Sequence, residues 1–176
     1  MAGKTSNEEI ILEHEKQAIE QDRMRYTKNK TSSNFTALAI VFDVMYFIGL
    51  YKIDRGVYYY NILIGASIIY NLIFMLTAFL CMEGVKNYKK NFSYVLSVLG
   101  LIQIIRIFII PMKAKATTLV LSGEATPAMS AGRFTYCLLT LVLSAACLFF
   151  AAFVGYTRSV KLEKYLSTIG PEARRD

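Results

Sequence analysis

Four polar side chains interrupt otherwise apolar runs, and they are the residues best placed to do chemistry: Asp43, Asn71, Gln103 and Arg106. Arg106 lies in FSYVLSVLGLIQIIRIFIIPM, the stretch from Phe92 to Met112. About 20 apolar residues at 1.5 Å rise match a hydrocarbon core of about 30 Å, so this stretch is expected to cross a bilayer. A charge at that depth costs at least ~2.5–3.5 kcal/mol and turns to protein or water rather than lipid. Counting 1.5 Å per residue from the cytoplasmic end of each span places Asp43 at roughly 14 Å, Gln103 at roughly 16 Å, and Asn71 and Arg106 at roughly 20 Å. The cluster then occupies a slab about 7 Å thick, which an arginine side chain can bridge. Pairing Asp43 with Arg106 removes most of the cost of burying either charge alone.

The sequence leaves three uses of this cluster open. It can be a salt bridge that fixes helix register, with Asn71 and Gln103 hydrogen-bonding across the bundle. It can line a water-filled path or a binding site for an ion or small polar solute. It can also meet a polar group on another membrane subunit.

The elements that must position these residues follow from the apolar blocks. Spans are expected at about 35–51, 58–82, 92–112 and 134–156, which together form a domain over residues 34–157. Thr36, Ala39, Asp43 and Tyr46 share one helical face, as do Ser67, Asn71 and Ala78. In the fourth span Cys137, Thr140, Ser144, Cys147, Ala151 and Gly155 recur every three or four residues, a stripe of small side chains. In lipid such stripes let backbones approach, either within a bundle or at a subunit interface. Leu138, Leu141, Val142, Phe149 and Phe153 fall opposite and are assigned to lipid or a second interface.

With 176 residues, 55% of them hydrophobic, the chain has room for one membrane domain and no second globular one. Its net charge of +7 is gathered at the ends of the apolar blocks, the topogenic pattern rather than a nucleic-acid surface. No nucleic-acid partner is expected. Cys81, Cys137 and Cys147 all lie in apolar blocks, and the single histidine, His14, lies in a charged tail. No zinc spacing results, so neither a metal nor a cofactor is expected. Nucleotide, zinc-protease and hydrolase motifs are also lacking, which points away from an enzyme.

Residues 1–33 form a polar cytoplasmic tail with an expected juxtamembrane amphipathic helix, started by a capping box at Ser6 and Glu9. Six acids precede residue 23, and Arg23, Arg25, Lys28 and Lys30 follow without one. This basic end, with Lys86, Lys89 and Lys90 of the second connection, is assigned to anionic lipid headgroups. The acidic helix can lie on the surface, dock on a partner or remain solvated.

The first connection carries Lys52, Asp54, Arg55 and Gly56, with Tyr51, Tyr58, Tyr59 and Tyr60 as an interfacial aromatic belt. Pro111 is expected to bend or end the third span. Lys113 to Arg133 reads as a longer connection, with Thr126 capping the fourth helix and Pro127 as its first residue. That helix is expected to run on to Gly170 and Pro171, leaving 158–176 as a C-terminal tail.

Fourteen of the 20 Lys and Arg residues fall in the tails and the second connection, and five on the other side. Positive-inside then places both termini in the cytoplasm. The expected fold is all-α: an integral membrane four-helix bundle with an added N-terminal helix. The expected role is a non-enzymatic subunit of a larger membrane assembly, with a small oligomeric channel or transporter as the alternative. Its expected partners are membrane lipids and other membrane subunits or further copies of itself. The expected site is the plasma membrane, and specifically a bacterial inner membrane.

Overall fold

The computed structural model describes residues 2–51, 58–116, 118–121, 124–127 and 129–169, with side chains described over 11–50, 65–116 and 129–169. Helices α1 (Ala2–Tyr26), α2 (Lys30–Tyr51), α3 (Tyr58–Lys86), α4 (Lys90–Ile109), α5 (Pro111–Ala116) and α6 (Ala131–Ile169) alternate with one hairpin, β1 (Thr118–Leu121) and β2 (Glu124–Pro127). Among the described residues, α2, most of α3, α4 with α5, and α6 are long and apolar enough to cross a membrane. The spanning elements form a helical membrane bundle, as the apolar blocks imply.

α6 packs along both α2 and α4, and α3 joins those two on the other side. The bundle order is therefore α2–α3–α4–α6, with α3 diagonal to α6. The expected faces turn inward: Thr36, Ala39, Asp43 and Tyr46 from α2, and Ser67, Asn71 and Ala78 from α3, are all buried. Outward, Val41, Ile48, Leu72, Leu76, Val98 and Leu101 are exposed, as lipid-facing side chains should be.

Glycines set how closely the helices meet. A Cβ on Gly155 of α6 would stand 2.7 Å from Ser93 Oγ and 3.1 Å from Ser32 Oγ. A Cβ on Gly84 would collide with the ring of Phe92. The α3–α4 corner is a Schellman turn. Tyr88 N–H donates to Val85 O at 3.2 Å and Lys89 N–H to Gly84 O at 3.1 Å. Tyr88 holds the left-handed position of this turn, φ 56°, which usually falls to glycine.

Several expectations are corrected. α1 begins at Ala2, so Ser6 lies within the helix and no capping box starts there. Ile11, Leu12 and Ile19 of α1 are all exposed and fall within one arc of about 100° around its axis. Thr126 and Pro127 belong to β2, where they pair with Leu119 and Thr118, and α6 starts only at Ala131. A proline tolerated at the end of an edge strand has taken the place expected for a helix start. Leu141 is fully buried rather than lipid-facing, and Leu148 joins it inside, so the inward face of α6 is wider than its small-residue stripe.

Pro111 ends α4 and opens α5 as its first residue. Ile110 N–H still donates to Arg106 O at 3.2 Å before the chain turns. The connection with Lys52, Asp54, Arg55 and Gly56 lies outside the described residues, as do the side chains of Tyr51, Tyr58, Tyr59 and Tyr60. Gly170 and Pro171 also lie outside them.

Candidate functional site

One polar layer crosses the bundle, and it is built around Arg106. Pitch alone brings its members together: Gln103 and Arg106 sit one turn apart on α4, and Ser67 and Asn71 one turn apart on α3. Arg106 is 4% exposed and Asp43 1%, so both charges have left solvent. Arg106 Nη1 donates to Asp43 Oδ1 at 2.8 Å and to Gln103 Oε1 at 3.4 Å. Nη2 donates to Asn71 Oδ1 at 2.5 Å and to Ser67 Oγ at 3.2 Å. Gln103 Nε2 donates to Asp43 Oδ1 at 2.9 Å and to Ser144 Oγ at 3.3 Å. Ser144 in turn donates to Ala39 O at 3.0 Å. All four spanning helices therefore meet in one hydrogen-bonded layer.

Two aromatic rings close on the guanidinium. Its central carbon lies 4.4 Å from the Tyr46 ring centroid and 4.5 Å from that of Tyr70. In a desolvated setting each such contact contributes up to about 2 kcal/mol. Burying an ion costs several kcal/mol even after relaxation. A paired carboxylate, three further acceptors and two ring faces offset that cost here.

The layer is not saturated. Among the described residues, Asp43 Oδ2, Asn71 Nδ2, Arg106 Nε and the hydroxyls of Tyr46 and Tyr70 are buried without a hydrogen-bond partner. Unpaired groups of this kind are uncommon in protein interiors, and five of them gather around one arginine.

Asp43, Asn71, Gln103 and Arg106, picked out from sequence, all meet here. Of the stripe residues, Ser144 joins the layer, while Cys137, Thr140, Ala151 and Gly155 are buried in helix contacts and Cys147 sits half-buried at the edge. Sequence reasoning passed over Ser67, Tyr46 and Tyr70 as members of the site. Their signal was available: Ser67 and Tyr70 flank Asn71 at positions four and one before it, and Tyr46 follows Asp43 by three.

A second polar junction lies at the end of the bundle that carries the α3–α4 corner. Asn29 Oδ1 accepts from Ser32 N–H at 3.4 Å, capping α2, and from Arg158 Nη1 at 3.0 Å. Asn29 N–H donates to Lys86 O at 3.0 Å. Ser32 Oγ donates to Ala151 O at 2.7 Å. Asn29 was not picked out from sequence, although an asparagine just ahead of an apolar helix is an N-cap signal.

The residues assigned to headgroups divide. Lys86 pairs with Glu83 at 3.1 Å, Lys90 with Glu163 at 2.9 Å, and Arg25 with Asp22 at 3.5 Å. Arg23, Lys28, Lys30 and Lys89 are exposed. No family model, no curated protein and no solved structure matches this chain.

Proposed function

We propose that the protein is a non-enzymatic integral membrane subunit that associates with, or stabilises, a larger membrane assembly. The observation that carries this reading is the internal closure of its charge layer. Asp43 and Arg106 answer each other at 2.8 Å, with hydrogen bonds from or to α3, α4 and α6 around them. A charge pair held this way locks four helices in register. The surface left for a partner then lies beyond the bundle, on α1 and on the end of α6 against which α1 rests. Ile19 is 69% exposed there, and Ile11 and Leu12 are exposed with it. By the distribution of Lys and Arg, we infer that both termini face the cytoplasm. The host membrane is proposed separately as a plasma membrane of the bacterial inner type.

The test is purification from native membranes in a mild detergent. A membrane protein should co-purify in fixed stoichiometry and be lost with a chain carrying Ile11→Ser and Ile19→Ser, whose bundle melts at the wild-type temperature. A partner retained by that variant would refute the placement on α1. Absence of any stoichiometric partner would refute the subunit reading itself.

A second reading is a small oligomeric channel or transporter with its polar site at the Arg106 layer. The five unpaired polar atoms there favour it. It requires flux through liposomes containing this chain alone, abolished by Asp43→Asn in protein that still folds. The subunit reading requires such liposomes to be inert.

A further inference from the structure

α1 runs antiparallel beside the end of α6 that continues past its apolar block. Asn29, just after α1, accepts from Arg158 Nη1 at 3.0 Å, and farther along both helices the Tyr165 hydroxyl donates to Asp22. Gln21, Met24 and Arg25 are half-buried on the side that rests on α6. On the other side Leu12, Ile19 and Tyr26 recur every seven residues, each more than half exposed. Seven residues fall about 20° short of two full turns, so the three form one nearly straight line along the helix. Ile19 and Leu12 stand about 15 and 25 Å beyond Asn29, carried off the bilayer by α6 and out of reach of lipid.

Charge is divided across that line. Glu15 and Asp22 lie about 60° to one side of it, and Lys16 and Arg23 about 40° to the other. Glu15, Lys16 and Arg23 are exposed, while Asp22 also holds Arg25 at 3.5 Å. Two copies inserted alike in one membrane are related by an axis along its normal, so their α1 helices run parallel. About such an axis the acidic flank of each helix meets the basic flank of the other. Glu15 then stands level with Lys16 of the second copy to within about 1.5 Å of rise, and Asp22 with Arg23. An antiparallel pair would set acid against acid. Three apolar side chains per helix are few, but copies confined to one bilayer in one orientation meet at a high effective concentration. We propose that Leu12, Ile19 and Tyr26 form the seam of a parallel pair of α1 helices from two copies of this chain, with Glu15–Lys16 pairs across it. This rests on α1 being the docking element of the subunit reading, and it makes the direct occupant of that element a second copy.

The experiment uses the full chain, purified without other membrane proteins and reconstituted into liposomes. Association of labelled copies is read by energy transfer as lipid dilutes them. Leu12→Ser, at an exposed position that leaves the bundle intact, should weaken association about ten-fold through lost apolar burial in both copies. Glu15→Lys and Lys16→Glu should each weaken it about three-fold. Mixed together, those two variants should pair at wild-type strength, since acid again faces base at both positions. Under oxidation Ile19→Cys should link to its copy, whereas Glu13→Cys, about 100° off the line, should link no more than wild type. Four outcomes would overturn the proposal: a monomeric chain in liposomes, association untouched by Leu12→Ser, equal linkage through Glu13→Cys, or no preference of the two charge variants for each other. A chain that is monomeric alone, yet brings down a membrane protein that Ile11→Ser and Ile19→Ser release, would refute this pair and leave the subunit reading standing. A pair that forms alone with no co-purifying protein would support the seam and refute the subunit reading.

Discussion

The Arg106 layer and the seam at Gly155 join the same helices by opposite means. At the seam, side chains are small and backbones approach. Ser32 Oγ reaches Ala151 O at 2.7 Å, and Gly155 leaves no room for a Cβ beside Ser93. At the layer, side chains are long and carry charge, and helices are held apart by what stands between them. The seam gains stability from dispersion and short hydrogen bonds, with little desolvation to offset. The layer must first recover the cost of dehydrating two ions. A close seam therefore tolerates loss of a hydrogen bond but no added volume, whereas the charged layer tolerates paired changes but no unpaired one. The layer also leaves space beside itself, the crevice at Ser67 and Tyr70.

The largest expected effect breaks the layer. Arg106→Leu strands Asp43 in the interior, and Asp43→Leu strands Arg106; each should cost about 3–5 kcal/mol in equilibrium unfolding from mixed micelles. The double variant Asp43→Leu/Arg106→Leu should be much nearer wild type, since no lone charge remains. A double variant as unstable as either single one would show that the layer is more than a charge pair.

The seam should break by volume instead. Gly155→Val drives a branched side chain into Ser93, Ser32 and Val85, the last at 3.4 Å from the first added carbon. Overpacking of this kind costs about 1–3 kcal/mol. Ser93→Gly in the same chain should restore part of the loss by clearing the nearest obstacle. Unchanged stability of Gly155→Val would mean that α6 can move away from α2 and α4 freely, and the contrast between the two regions would fail.

The sequence carried more of the layer than of the seam. Asp43, Asn71, Gln103 and Arg106 stand out because polar residues are rare in apolar runs, and a common depth then brings them together. Ser93 and Ser32 do not stand out, because serine is ordinary where a span meets the interface. Their importance comes from the approach of Gly155, which only packing reveals. The β1–β2 hairpin was missed because Lys113 to Arg133 was read as one long connection leading into a helix start at Thr126 and Pro127. The short β-prone run Thr118, Leu119, Val120 and Leu121, followed by Ser122 and Gly123, was the signal for it. Thr126 with Pro127 has the composition of a helix start, yet strand pairing took both residues. Local propensity lost there to tertiary pairing.

A smaller effect sits at the α3–α4 corner. Tyr88 occupies a left-handed position that costs a side-chain-bearing residue roughly 1–2 kcal/mol, so Tyr88→Gly should stabilise by up to about 1 kcal/mol after the greater freedom of glycine in the unfolded chain is deducted. A loss instead of a gain would show that the Tyr88 side chain contributes more to stability than its backbone strain costs.

The smallest predicted effect is the most informative about how the layer works. Ser144 accepts from Gln103 Nε2 at 3.3 Å and donates to Ala39 O at 3.0 Å. Ser144→Ala removes both bonds, yet it leaves no strong group stranded. Gln103 Nε2 keeps Asp43 at 2.9 Å, and Ala39 O keeps its place in the α2 ladder. The 3.3 Å bond to Gln103 is long and adds little, so the loss should stay close to the ~0.6 kcal/mol typical of one interhelical hydrogen bond in a membrane. If the layer were strengthened cooperatively along its whole length, the same substitution would weaken bonds two partners away and cost several times more. Repeating Ser144→Ala in the Asp43→Leu/Arg106→Leu background separates these cases. An unchanged cost there means that the serine acts locally and the ion pair stands alone. A cost that vanishes with the ions means that α6 is tied to the bundle through the charge, and the layer acts as one unit.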